Sequence, residues 1–307
     1  MDNLCHALTG AAFAEAGLKR TTPLASATLM IAANLPDVDV LVFVTDIPSV
    51  AFRRGWTHGV LGQALLPVAC AGLMFWIGRR RGARFGPLLL LSYLGVISHV
   101  GLDLLNNYGV RLLMPFSGRW FYGDTAFIID IWLWLMLGAG VWIAWSRNHA
   151  RTARVALLAA ATYVAVLVVS ARVAREFVLD QWRAAHGTAP RALMVGPVPV
   201  TPFRRVVIVD AGDSYVTGTF GWFPRQVSFG PAVPKNERHP AVSAAVAADP
   251  RMRSVLTWAR FPYYEVESAP ERDVVSLRDL RFGDRVGAVR AVVEASRGSS
   301  DRGDPSR

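Results

Sequence analysis

The sequence predicts an α-helical membrane bundle of five or six spans followed by a small, mainly β (α+β) soluble domain. Three observations carry this. Apolar runs of about spanning length succeed one another as far as Ala171, and a hydrocarbon core of ~30 Å asks for ~20 apolar residues per helix. Basic residues collect in every second connection between those runs. From Arg172 onward charges become frequent and short β-rich runs replace the long apolar ones. A chain that is 52% hydrophobic and only 18% charged agrees with a membrane protein for at least part of its length. The expected division is a transmembrane domain over 1–171, a mainly β domain over 172–296 and a disordered polar tail over 297–307.

In order, Asn3 to Leu18 reads as a short helix with His6 near its start. At ~1.5 Å per residue it falls just short of the hydrocarbon core, which leaves the count at five or six. A basic turn, Lys19-Arg20-Thr21-Thr22-Pro23, leads to the run Ala25–Val44. Pro36 should break or kink this run, because it lacks an N–H and clashes with the preceding turn. The loop Thr45–Thr57 carries Asp46, Arg53 and Arg54. Gly59–Ile77 is a clean run ending at Arg79–Arg84, and Pro87–Leu105 is another, broken only by Ser92, Ser98, His99 and Asp103. A loop over Asn106–Ala126 ends in Gly123-Asp124. Phe127–Trp145 then spans, followed by Arg147, Arg151 and Arg154 and the last run, Val155–Ala171. Beyond it, strands are expected at Arg205–Asp210, Ser214–Phe220, Tyr263–Glu267 and Arg285–Val293, with helices at Ala241–Ala248 and Arg251–Ala259.

The net charge of +10 does not argue for a nucleic-acid partner, since much of the basic excess of the first half sits in short loops and no recognition motif accompanies it. Cys5 and Cys70 lie in apolar surroundings and read as small hydrophobes. The start does not resemble a signal peptide, because no Lys or Arg precedes the first apolar stretch. The segments 19–20, 79–84 and 147–154 hold nine Lys or Arg and no acid, against four in the alternate loops (Arg53, Arg54, Arg111, Arg119). The first set therefore faces the cytoplasm. Six spans would leave both the N-terminus and the C-terminal domain on the other side; five would leave His6 on the side opposite the other polar residues of the runs.

Asn34-Leu35-Pro36-Asp37-Val38-Asp39 puts two carboxylates inside an apolar run, where each costs ~2.5–3.5 kcal/mol on insertion scales. The other unusual residues obey a rule. His6 is near the start of the first helix, Asp37 and Asp39 near the end of the second, and His58 at the start of the third. His99 and Asp103 are near the end of the fourth, and Asp130 near the start of the fifth. Alternating starts and ends in consecutive antiparallel helices bring all of them to one membrane face. His99 and Asp103, four apart, share a helix side and can ligate one ion. Three imidazoles and three carboxylates (His6, His58, His99, Asp37, Asp39, Asp103) suit a divalent metal, Zn²⁺ above all, as one or two ions. Asp124 or Asp130 could serve as general base or orient a ligand. Each residue also has a plainer reading: histidines as interhelical hydrogen bonders, Asp37 and Asp39 as caps of a broken helix, Asp130 paired with Arg111 or Arg119.

Together His6-Ala-Leu-Thr-Gly, Asn34-Leu-Pro-Asp37-Val-Asp39, Arg54-Gly-Trp-Thr-His58, His99-Val-Gly-Leu-Asp103 with Tyr108-Gly109, and Gly123-Asp124 before Asp130 make residues 1–145 resemble the YdjM-type family of inner-membrane-associated, metal-dependent hydrolases. The resemblance implies a multi-pass protein of the bacterial inner membrane and supports ligand roles for His6, Asp37, Asp39, His58, His99 and Asp103. It implies no substrate. A site ~10 Å deep suits an amphiphile such as a lipid ester or phosphoester, with Arg53, Arg54, Arg111 and Arg119 either drawing its phosphate or anchoring at the interface. The competing readings are a non-enzymatic scaffold whose C-terminal domain binds a partner, and an ion transporter.

Overall fold

The structure, a computed structural model, describes residues 1–44, 52–283 and 288–294. Its N-terminal region is helical: α1 (Asn3–Glu15), α2 (Ala25–Ala32), a 3-10 segment (Leu35–Val44), α3 (Val60–Gly78), α4 (Phe85–Leu104), α5 (Ile131–Ser146) and α6 (Ala150–His186). Three of these helices are long and apolar enough to cross a membrane, or four spans if α2 and the 3-10 segment count as one bent by 51°. The C-terminal region is built on antiparallel sheet, and the chain separates into two compact units.

The larger unit comprises the described residues of 1–189, with 193–207 and 218–229. Asp2 starts α1 by accepting from the Leu4 and Cys5 amides. The break in the second run falls at Ala33-Asn34 rather than at Pro36. Pro36 lies in the first turn of the 3-10 segment, where its missing N–H would have been unpaired anyway. The fifth run becomes helical only at Ile131, because Asp130 accepts from the Trp132 and Leu133 amides and so fixes the helix start. The apolar run Val155–Ala171 is the middle of a 37-residue helix that continues to His186.

Small residues let the helices close on one another, as lipid-embedded packing requires. A Cβ on Gly10 of α1 would stand 2.7 Å from the Leu29 carbonyl oxygen, and one on Gly95 of α4 would stand 2.7 Å from Ala32 Cβ and 2.9 Å from the Ala33 nitrogen. The backbone of α2 is thus gripped from two sides. Cys5 and Cys70 are free, buried thiols. On the outer surface Leu65, Leu90, Trp142 and Leu158 are each more than half exposed, the inverse of a water-soluble bundle.

Four strands follow, β1 (Ala192–Pro197), β2 (Arg204–Asp210), β3 (Ser214–Trp222) and β4 (Arg225–Pro234), in the order β1-β2-β3-β4. The smaller unit comprises 190–192, 208–217 and the described residues from 230 on. Within it α7 (Pro240–Ala248) and α8 (Pro250–Trp258) each begin with Pro, capped by His239 and Asp249. They pack Val242, Ala245, Met252 and Val255 against Tyr264, Val275 and Leu277 of a three-stranded sheet. That sheet is β5 (Pro262–Ser268), β6 (Arg272–Asp279) and β7 (Val289–Glu294), antiparallel, with Tyr264 opposite Leu277 and Val275 opposite Ala291.

The expected strands and both helices are present, with β7 in place of the longer run Arg285–Val293, part of which lies outside the described residues. The sequence reading missed β1, β4 and β6. β6 (Arg-Asp-Val-Val-Ser-Leu-Arg-Asp) buries Asp273, Ser276 and Asp279 and so hides its apolar signal. Asp46 and the tail 297–307 lie outside the described residues.

Candidate metal centre

His99 and Asp103 sit one turn apart on α4, and His58 stands just before α3. Asp37 comes from the 3-10 segment. Their ligand atoms lie within 4.8 Å of one another, and all four residues are buried. The two histidines face each other, Nε2 to Nε2, at 3.2 Å. Asp37 Oδ1 is 3.9 Å from each of these nitrogens, and Asp103 Oδ2 is 3.4 Å from His58 Nε2 and 3.7 Å from His99 Nε2. Four donors ~2.0–2.1 Å from a tetrahedral ion are separated by roughly 3.3 Å, so these separations are close to the edges of such a site. Asp37 Oδ1 and Asp103 Oδ2 are buried without a hydrogen-bond partner. Asp103 Oδ2 has Arg54 Nη2 at 3.2 Å as an ion-pair partner, whereas a buried carboxylate oxygen such as Asp37 Oδ1, without a hydrogen bond, costs free energy that a bound cation would remove. The donor set therefore fits a divalent ion.

The far sides of both imidazoles orient them. His99 Nδ1 donates to the Ala33 carbonyl at 2.7 Å, which leaves the Nε2 lone pair for the centre. His58 Nδ1 is 2.9 Å from Thr57 Oγ1, whose hydroxyl in turn donates to Asp39 Oδ2 at 3.0 Å. Asp39 also accepts from the Arg54 amide at 2.7 Å and stands 3.4 Å from Arg53 Nε. Asp37 and Asp39 are two apart on a three-residue turn, so one points into the centre and the other towards the loop that carries Arg53, Arg54 and Thr57.

His6 reaches the same place from α1. Its ring stacks on His99 at a 3.8 Å centroid distance, its Nε2 is 3.3 Å from Asp103 Oδ1, and neither ring nitrogen has a hydrogen-bond partner. It is not among the four atoms that converge. Asp130, used as the α5 cap, also accepts from Tyr163 Oη at 3.1 Å. Asp124 is half-buried at φ +51°, and its carbonyl accepts from Arg205 Nη1 at 3.0 Å. Neither belongs to the group of four.

Sequence reasoning undervalued Arg54. It is buried, its Nη2 is 3.2 Å from Asp103 Oδ2, its Nη1 donates to Asn106 Oδ1 at 3.1 Å, and it holds φ +54°. A non-glycine residue in that region is strained and persists only where its surroundings hold it; here Asp39 takes its amide and Asp103 its guanidinium. The available signal was its place beside Gly55-Trp56-Thr57-His58. The amino nitrogen of Met1 also contacts Asp103 Oδ1. Arg53, by contrast, keeps its side chain 31% exposed, 3.7 Å from Asp37 Oδ1. Arg111 lies over the Trp120 ring and donates to the Phe52 carbonyl. Burial holds its guanidinium below the ordinary value, against the opposing pull of Asp39. His149, His186 and His239 are exposed on other elements.

A model of the family described as YdjM inner membrane protein matches residues 1–174, which include every residue of this centre. An uncharacterized protein of Bacillus subtilis (strain 168), YfhP, is 23% identical over 270 residues, covering 81% of this chain and 75% of that protein. No solved structure matches the chain.

Proposed function

We propose, for a chain that belongs to the YdjM inner membrane protein family, a membrane-embedded, metal-dependent hydrolase whose ion is held by Asp37, His58, His99 and Asp103. The carrying observation is the convergence of those four buried donor atoms, two of them without hydrogen-bond partners. Zn²⁺ is the ion best matched to two imidazoles and two carboxylates at these separations. When bound, such an ion supplies a water of lowered pKa for attack on an ester or phosphoester.

This chain's own residues do the rest. Asp39, through Thr57, and the Ala33 carbonyl fix the ring orientations of His58 and His99. Arg54 balances Asp103. Arg53, partly exposed beside Asp37, is the cation available to an incoming phosphate or carboxylate, and a lipid ester or phosphoester is the substrate class that suits a site among apolar helices. His6 flanks the centre as a further ligand or proton carrier. Asp124 is the candidate base, and Asp130 a positioning residue that sets the start of α5. Metal analysis of the purified protein tests the first step: stoichiometric metal is expected, and a His58→Ala/His99→Ala variant that keeps it would refute the reading.

The same reading includes six membrane crossings, with the centre and the C-terminal region on the non-cytoplasmic side. Contacts at the two ends of α1 support this although it is only 13 residues long. At one end the Asp2 amide donates to the Ile128 carbonyl, beside Asp130; at the other Arg154 Nε donates to the Ala16 carbonyl, within the basic segment 147–154. A second reading, a scaffold whose polar cluster is balanced without metal, draws support from the contact of Arg54 with Asp103. It predicts a metal-free protein with undiminished stability.

A further inference from the structure

The exposed apolar face of α6 does not stop where its helical neighbour does. Tyr163 Oη meets Asp130 Oδ2 at 3.1 Å, so the start of α5 is level with Tyr163. Beyond that level Val166, Val169 and Val173 remain exposed, and charge returns only at Arg172, Arg175 and Glu176. From Val155 to Val173 the apolar face is ~27 Å long, close to one hydrocarbon thickness. Its last ~15 Å therefore extends beyond the start of α5.

Alongside that stretch lie two turns from the strand region of the same unit. The β1–β2 connection brings Pro202 and Phe203, and the end of β3 and the turn after it bring Trp222 and Phe223. With α6 they border an apolar groove of about 660 Å³. Phe203 and Phe223 pack edge to face at 5.7 Å, yet Phe203 is 55%, Val200 58% and Phe223 83% exposed. Water is a poor neighbour for such a cluster.

The polar atoms of these turns are handled as a lipid environment requires. Trp222 Nε1 donates to Ser170 Oγ at 3.0 Å, Trp132 Nε1 to the Val200 carbonyl at 2.8 Å, and the Trp222 amide to the Phe203 carbonyl at 3.0 Å. Pro199, Pro202 and Pro224 have no N–H to leave unpaired. Arg205, a fully buried cation nearby, gives Nη1 to the Asp124 carbonyl and Nη2 to the Leu167 carbonyl, while its Nε has no hydrogen-bond partner. Non-helical backbone at bilayer depth is tolerated when its hydrogen bonds are met within the protein.

We propose that the Val200–Phe203 and Trp222–Phe223 turns form a membrane-docking element, inserting their side chains into the leaflet at the Asp130 end of the bundle and completing the lipid-facing belt where α5 has ended. The occupant of the groove is lipid acyl chain, continuous with the lipid around Val166, Val169 and Val173.

The test is the environment of a single label on the full chain in phospholipid nanodiscs. In a Cys5→Ala/Cys70→Ala background, Phe223→Cys carrying the fluorophore NBD should emit at shorter wavelength than Arg238→Cys, whose side chain is 80% exposed in the smaller unit. Lipids with a nitroxide high on the acyl chain should quench the Phe223 label at least twofold more than the Arg238 label, and aqueous iodide should do the reverse. Equal iodide quenching at the two positions would overturn the proposal. So would a blue-shifted Phe223 label that nitroxide lipids leave untouched, since protein, including a second copy of the chain, would then cover the patch.

Discussion

At the level of single residues the centre is a test of what orients a ligand as much as of what ligates. Asp39 does not converge with the four donors, and it reaches His58 both through the Thr57 hydroxyl and directly, with its Oδ2 3.5 Å from His58 Nδ1. Removing its charge while keeping its shape should leave the fold intact and loosen the imidazole. Asp39→Asn is therefore expected to weaken metal affinity ~10–100-fold, the usual effect of losing such an orienting carboxylate, measured by competition with a chromophoric chelator. Unchanged affinity would show that the Thr57 contact alone suffices. Arg54 matters for a different reason. Arg54→Met leaves Asp103 buried without its guanidinium, a loss on the order of 3–5 kcal/mol for a broken buried pair. Added metal should restore most of that stability if the cation sits where Asp37 and Asp103 point, and none if it does not; thermal unfolding in detergent with and without Zn²⁺ reads the difference.

Among the elements, α2 decides how well the histidines are held, because its C-terminal end supplies the Ala33 carbonyl to His99. Gly95 allows that approach. A methyl there would fall 2.7–3.0 Å from Ala32 Cβ, the Ala32 carbonyl carbon and the Ala33 nitrogen, backbone that cannot rotate away, whereas one on Gly101 of the same helix meets nothing within 4 Å. Gly95→Ala is thus expected to destabilise by ~1–3 kcal/mol and to reduce metal affinity as well, while Gly101→Ala leaves both unchanged or slightly raises stability. Equal effects of the two substitutions, in unfolding and in metal titration, would show that the approach of α2 to α4 is not what holds His99. The apolar helices were legible from hydropathy because lipid-facing residues must be apolar whatever their partners, but three or four of them are long and apolar enough to span where five or six were expected. The end of α2 was not: the proline drew the expected break to Pro36, but a proline in a first turn is compatible with a new helical segment, and the chain had already turned at Asn34. β4 and β6 were illegible for a related reason, since Gly, Pro and buried polar residues interrupt the alternation that marks a strand.

For the molecule as a whole, what could be read in advance was an alternation. Polar residues at successive starts and ends of apolar runs predicted a common face, and the structure does bring Asp37, His58, His99 and Asp103 to one point with His6 and Asp39 beside them. What could not be read was the work of individual atoms: that Arg54 would be buried, or that Asp130 would spend both oxygens on its own helix and on Tyr163. The alternation has a consequence for topology that can be checked without any knowledge of substrate. If charge bias orients the chain, Arg79–Arg84 faces the cytoplasm. Between Arg81 and Arg238 lie α4, α5 and α6, and if all three cross, those two residues stand on opposite sides. A cysteine at Arg238 in cells should then react with a membrane-impermeant maleimide from outside the inner membrane, and one at Arg81 only after the membrane is opened. The opposite pattern would place the His/Asp centre at the cytoplasmic face. Labelling at both positions in intact cells would instead require an even number of crossings between them. One of α4, α5 and α6 would then have to lie against the bundle without crossing, and the shared face of His99, Asp103 and Asp130 would lose its topological basis.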